Sequence, residues 1–144
     1  MSNPLKLKAE SAGDLAVLSA FVQDAILRVG EIVYNNKGRF ITLRLSRFRH
    51  ENDKKAERIQ SGLRIDSVLK IQSRGLDRTD PEAYAVLLSL NFEPSQEKKD
   101  PSGIVHIVLA GGGEIAVKVE CVDMILADTS ESRTTDKLPL HYDG

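Results

Sequence analysis

The most regular hydrophobic pattern in the chain runs from Ile104 to Cys121, where two β-rich stretches flank Gly111, Gly112 and Gly113. In the second stretch Ile115, Val117, Val119 and Cys121 alternate with Glu114, Ala116, Lys118 and Glu120, the period of a strand with one dry and one wet face. The first stretch is apolar on both faces except at His106. Together they predict a hairpin, and its register decides what faces inward. A loop of Gly111 to Gly113 pairs Leu109 with Ile115, Ile107 with Val117 and Val105 with Val119, and sets His106 opposite Lys118 and Ile104 opposite Glu120, so that dry meets dry. A two-residue loop at Gly111-Gly112 sets Leu109 against Glu114; one at Gly112-Gly113 pairs Val108 with Val117 and is the main alternative. The odd loop is therefore expected, with glycine supplying the positive φ. It leaves Glu114, Lys118 and Glu120 in solvent and makes Cys121 a buried small hydrophobe on the face opposite His106.

The rest of the chain is mostly strand by pattern. Leu5 to Lys8 alternates leucine with lysine and suits a short edge strand. Ser11 reads as a helix N-cap with Asp14 as the reciprocal carboxylate, and Leu15, Leu18, Phe21 and Val22 follow at helical spacing, which predicts a helix over Gly13–Val22. Ala25, Leu27 and Val29 begin a strand that changes phase at Gly30 before Ile32 and Tyr34, the signature of a bulge or bend. Asn35 to Gly38 is a turn, and Ile41, Leu43 and Leu45 open a second arm in which Phe48 falls out of phase. Ile59 to Ser73 is long for one strand and is expected to break or kink near Asp66-Ser67. Tyr84, Val86, Leu88, Leu90 and Phe92 alternate without interruption, and Pro94 to Gly103 is a loop. Residues 122–128 fit a short helix or a strand equally well.

These elements predict an α+β domain over residues 1–128 and a polar C-terminal tail over 129–144. The sheet is expected to be a six- or seven-stranded, mainly antiparallel meander, curled into a half-barrel or two layers, with the N-terminal helix on its apolar face. The alternative is a small barrel with a C-terminal helix, similar to the pleckstrin-homology fold. A meander leaves two edges, so homodimerisation through a strand is a further expectation.

Composition adds two things. Apolar residues are 41% and aromatics only 5%, with no Trp, so the core has to be aliphatic. The single cysteine and the absence of an apolar leader lead to the expectation of a cytoplasmic protein without a membrane partner. Net charge is −1, yet it is unevenly spread: Lys37 to Arg78 holds twelve Lys/Arg against five Asp/Glu, and the remainder eight against sixteen. A basic middle on one face would attract an acidic protein, an anionic ligand or a nucleic-acid backbone; packing of the acidic ends beside it would neutralise it.

Candidate chemistry is sparse. The three glycines precede a strand, whereas a phosphate loop precedes a helix. His50, His106, His141 and Cys121 lack metal-ligand spacing, so neither a metal nor a cofactor is expected. Asp77 and Asp80, bracketed by Arg74 and Arg78 before Pro81, fit an acid and base but fit turn chemistry better. Arg44, Arg47 and Arg49 with Phe40 and Phe48 form the basic-aromatic mixture used on single strands, unless both rings are core residues.

Asp14-Leu15-Ala16-Val17-Leu18-Ser19-Ala20, Gln23-Asp24-Ala25, Arg47-Phe48, Ser73-Arg74-Gly75-Leu76-Asp77-Arg78, Phe92-Glu93-Pro94, the three glycines and Val119-Glu120-Cys121 together resemble the domain of unknown function 2948, found mainly in alphaproteobacteria. The resemblance covers most of the chain. It implies a cytoplasmic bacterial protein and supplies no activity, cofactor or catalytic residue. The function expected from the residues is a non-enzymatic binding or adaptor module that holds an acidic partner through Arg44, Arg47, Arg49, His50, Arg74, Asp77, Arg78 and Asp80. Nucleic-acid binding, and an enzyme with its site near Asp77 and Asp80, are the alternatives.

Overall fold

The computed structural model describes residues 4–49 and 57–129. In chain order the elements are β1 (Lys6–Ala9), α1 (Ala12–Val22), β2 (Ile26–Asn35), β3 (Phe40–Arg49), β4 (Glu57–Ile65), β5 (Val68–Arg74), β6 (Tyr84–Pro94), β7 (Gly103–Leu109), β8 (Glu114–Val119) and β9 (Met124–Asp128). All nine strands join one antiparallel sheet in the order β1-β9-β4-β3-β2-β6-β7-β8-β5. The described residues thus contain nine strands rather than six or seven, because the 59–73 stretch divides in two and residues 122–128 supply a strand instead of a helix. Among the described residues β1 and β5 pair with no further strand, so the sheet they form is open rather than a closed barrel. Both the predicted C-terminal tail, from residue 130 on, and His50 lie outside the described residues.

Two chain corners divide the sheet into halves. β4 passes into β5 through Ser67, whose φ is 59°, and β8 passes into β9 alongside it. Asp66 N–H donates to the Asp123 carbonyl (2.9 Å) and Glu120 N–H to the Ser67 carbonyl (3.0 Å), so the two corners brace each other. One half is β1-β9-β4-β3-β2, the other β6-β7-β8-β5. Opposite the corners they are joined by β2 and β6, paired at Ile26–Val86, Leu27–Ala85 and Arg28–Tyr84. Their inner faces share one aliphatic core that includes Leu43, Leu45, Leu63, Ile107, Val117 and Leu126, each 0–1% exposed. Every such side chain contributes about 1.5–3 kcal/mol by leaving water.

Helix α1 packs on β6, β1 and β3. Ser11 caps it as expected: its Oγ accepts from Asp14 N–H (3.1 Å), and the Asp14 carboxylate accepts from Glu10 N–H (2.9 Å). Leu15, Leu18 and Val22 are buried, but Phe21 is not part of the dry stripe and stays 39% exposed. The strand at 84–94 also departs from its pattern. A bulge between Leu87 and Ser89 breaks the alternation, so Leu87 and Leu90 both turn inward and Leu88 is left 42% exposed. The Leu90 N–H in this irregular stretch is satisfied by Ser19 Oγ of α1 (2.9 Å).

The glycine hairpin has the odd loop and the predicted faces, with a shift of two in pairing. Val105 meets Val117, Ile107 meets Ile115 and His106 meets Ala116, because the loop is Ala110 to Gly112. Gly111 and Gly112 adopt φ of 84° and 96°. Gly113 is needed for another reason: a Cβ there would lie 3.0 Å from the Gly75 carbonyl, where the tip rests on the end of β5. β8 ends at Val119, so Cys121 falls on the corner and is half-buried, while Val122 is buried instead.

Candidate anion-binding face

Antiparallel register assigns each side chain to a face. On β3 Ile41, Leu43, Leu45 and Arg47 are buried, whereas Phe40, Thr42, Arg44, Ser46 and Phe48 point outward and are half-buried. β4 pairs Thr42 with Arg64, Arg44 with Gly62, Ser46 with Gln60 and Phe48 with Arg58, which places those partners on the same outer face. β9 adds Ile125 and Ala127, and β1 adds Lys8 and Lys6 opposite them. Beyond β3 on the same outer face, Arg28 of β2 stands opposite Tyr84 of β6.

Three guanidinium–ring pairs stand on this side of the sheet. The Arg64 guanidinium carbon lies 3.8 Å from the Phe40 ring centre, Arg58 lies 4.1 Å from Phe48, and Arg28 lies 5.3 Å from Tyr84. Each such contact contributes about 0.5–1 kcal/mol at an exposed site and flattens a long side chain against the sheet. Hydrogen bonds fix their planes. Arg58 donates to the Ser46 carbonyl (2.6 Å), Arg64 binds Asp66 (2.9 Å), and Arg28 donates to the Tyr84 hydroxyl (3.1 Å). Asp66 and Tyr84 hold the guanidinium pKa of Arg64 and Arg28 above the ordinary arginine value. Between Arg58 and Arg64 on β4 sits Gly62, over which a Cβ would meet nothing within 4 Å. The centre of the face is therefore low and open.

Arg47 has a different role. It points inward, is 4% exposed, and its Nη2 donates to both carboxylate oxygens of Asp128 (3.0 and 3.1 Å). Its Nε also reaches Ser61 Oγ (3.1 Å), which donates to Asp128 (2.8 Å), and Asp128 accepts from Leu5 N–H (2.8 Å). Phe21 of α1 covers the guanidinium at 5.9 Å. Arg47 is thus withdrawn from the outer face, and its pair with Asp128 ties β3, β4 and β9 to Leu5 just before β1. Arg49 is half-buried at the end of β3 opposite Glu57.

The remaining sequence candidates do not gather with Arg44. Arg74 lies on β5 in the other half and donates to Glu114 (3.1 Å). Asp77, Arg78 and Asp80 are exposed on the connection to β6. The Asp77 carboxylate accepts from the Thr79 hydroxyl (2.6 Å) and N–H (3.0 Å), which lowers its pKa, and Asp80 accepts from Glu82 N–H (3.1 Å). Both aspartates are engaged in the turn chemistry of this connection.

The outer face of the second half is a charge ladder. His106 Nε2 contacts Glu93 Oε1 (2.8 Å), its Nδ1 contacts Glu114, and Glu114 also accepts from Arg74. The hydrogen bond to Glu93 is the main cause that raises the His106 pKa, burial works against it, and Glu114 adds to the rise; His106 and Arg74 lower that of Glu114. Glu114 is therefore not the solvated residue expected. The two-residue shift in the hairpin puts it diagonal to His106. Among the described residues no three His, Cys, Asp or Glu side chains converge to hold a metal ion, and no helix is long and apolar enough to cross a membrane.

With this geometry in view, residues 5–141 match the sequence profile of a protein family described as protein of unknown function, DUF2948. The chain belongs to the DUF2948 family. No curated protein and no solved structure matches it. In this DUF2948 member Arg58, Arg64 and Gly62 were missed by sequence reasoning, although their period-two spacing on β4 was a usable signal. The inward turn of Arg47 was likewise in phase with Ile41, Leu43 and Leu45.

Proposed function

We propose that this protein is a binding module that holds an acidic or polyanionic partner on the outer face of β1, β9, β4 and β3. The observation that carries this reading is the concentration of Lys6, Lys8, Arg44, Arg58 and Arg64 on one side of those strands, two of the arginines backed by phenylalanine rings. The chain as a whole is nearly neutral, at −1, so the attraction is local to this face and net charge does not supply it. Among the described residues Asp66 pairs with Arg64 and Glu10 with Lys8 at this face. No catalytic step is part of the reading.

Retention on an immobilised polyanion such as heparin, eluted with a salt gradient, tests it. Replacing Lys6, Lys8, Arg58 and Arg64 by alanine is expected to move elution to much lower salt, whereas Lys70→Ala with Lys118→Ala, on the second half, leaves it in place. Equal shifts for the two variants would refute the assignment to this face.

A further inference from the structure

We infer that the partner is a single-stranded nucleic acid, laid across β4 and β3 with its bases against the guanidinium–ring pairs and its phosphates beside the surrounding cations. This rests on the binding-module reading above and narrows it to one class of polyanion. Four observations favour a single strand. Phe40 and Phe48 are not core residues; both are half-buried on the outer face, each with an arginine over its ring. A ring-backed guanidinium presents a flat, weakly hydrated plane, on which a nucleobase stacks and a carboxylate does not. The two rings are eight residues apart on one strand, about 26 Å at the rise of an extended chain, which leaves room for several nucleotides between two stacking points. In that interval Gly62 leaves open space, and Thr42, Ser46 and Gln60 line the surface with polar groups. A duplex fits poorly, because a groove admits a helix or a narrow ribbon and this surface is four strands wide with its arginines lying flat.

The test uses the full chain and a fluorescein-labelled mixed-sequence oligonucleotide of about 12 nucleotides, within the site sizes of small β folds, as DNA and as RNA, read by fluorescence anisotropy. Polyglutamate and a duplex of the same length are the competitors. Binding of either single strand, weakening steeply with salt and at least about tenfold tighter than the duplex, is expected. The Phe40→Leu/Phe48→Leu variant keeps apolar bulk and all charges, and is expected to lose about tenfold or more in affinity. Arg58→Lys with Arg64→Lys retains the charge but not the plane and is expected to weaken single-strand binding while leaving polyglutamate binding unchanged. Circular dichroism and thermal melting confirm that each variant is folded. Duplex and single strand bound equally, with the leucine variant unaffected, would overturn the inference and leave the basic-face reading standing. So would binding of polyglutamate alone. Failure to bind any of the three polyanions would overturn both.

Discussion

The two halves of the sheet handle charge in opposite ways. The first half, β1-β9-β4-β3-β2, buries a complete ion pair, Arg47 with Asp128, and among the described residues carries more cations than carboxylates outside. The second half keeps the inner face of β7 and β8 aliphatic and matches charges outside, with His106 between Glu93 and Glu114 and Arg74 at the end of the series. On one outer face Glu93, His106, Glu114 and Arg74 hold one another in a row. On the other, Arg58 and Arg64 are held flat against phenylalanine rings, with Lys6 and Lys8 beside them.

The largest expected effect lies inside the first half. Arg47→Ala leaves Asp128 buried without its counter-charge and should cost about 3–5 kcal/mol in chemical denaturation, whereas Arg44→Ala, its neighbour on the outer side of the same strand, should cost under about 1 kcal/mol. Similar losses would mean that the two faces of β3 are not as different as described.

Next comes the exposed charge. Arg58→Glu with Arg64→Glu should reduce polyanion affinity about a hundredfold at low salt and lower the slope of log affinity against log salt by about 2. Lys70→Glu with Lys118→Glu should change neither, and a comparable drop there would erase the distinction between the halves.

A smaller effect is expected from the ladder. Because the His106 pKa is raised, its stabilisation is complete below its ordinary value of 6.5 and is lost as pH rises through the higher folded value. Because that of Glu114 is lowered, its stabilisation is complete above its ordinary value of 4.5 and is lost as pH falls through the lower folded value. The two overlap between pH 4.5 and 6.5. Thermal midpoints measured across that interval and up to pH 8 should fall on the alkaline side in the wild type, and the His106→Gln variant should lack that fall. Polyanion binding by His106→Gln should match wild type at pH 8.

The smallest is at Gly62, where a strand glycine in open space should gain about 0.5–1 kcal/mol on replacement by threonine. If the open centre of the face is used, Gly62→Thr will be the more stable protein and the weaker binder, a combination that a purely structural glycine would not show.

Features set by neighbouring residues were legible in the sequence: the Ser11 cap, the turn at Asn35–Gly38, the bend at Gly30, the corner at Asp66-Ser67 and the faces of the glycine hairpin. Each depends on a local period, a short-range side-chain hydrogen bond or a positive φ. What escaped depended on partners far along the chain. The bulge that exposes Leu88 was hidden because Leu87 and Leu88 are adjacent, so either can face inward and the unbroken alternation of Val86, Leu88, Leu90 and Phe92 gives no sign of the change of phase. Asp128 carries no local sign that it will meet Arg47, 81 positions earlier. At the candidate site, Arg44, Phe40 and Phe48 were visible, but their arginine partners come from β4, and only the register of β3 with β4 brings them together.

The position of β9 has a kinetic consequence. It inserts between β1 and β4, and Asp128 bonds the Leu5 backbone across 123 positions. During synthesis β1 therefore emerges long before the strand it pairs with, and β4 keeps an unpaired edge until the residues around 128 leave the ribosome. With such distant pairing the chain is expected to fold slowly for its size. The late step would be insertion of one strand into a waiting slot, and until then the exposed β4 edge would be the place where misassociation begins.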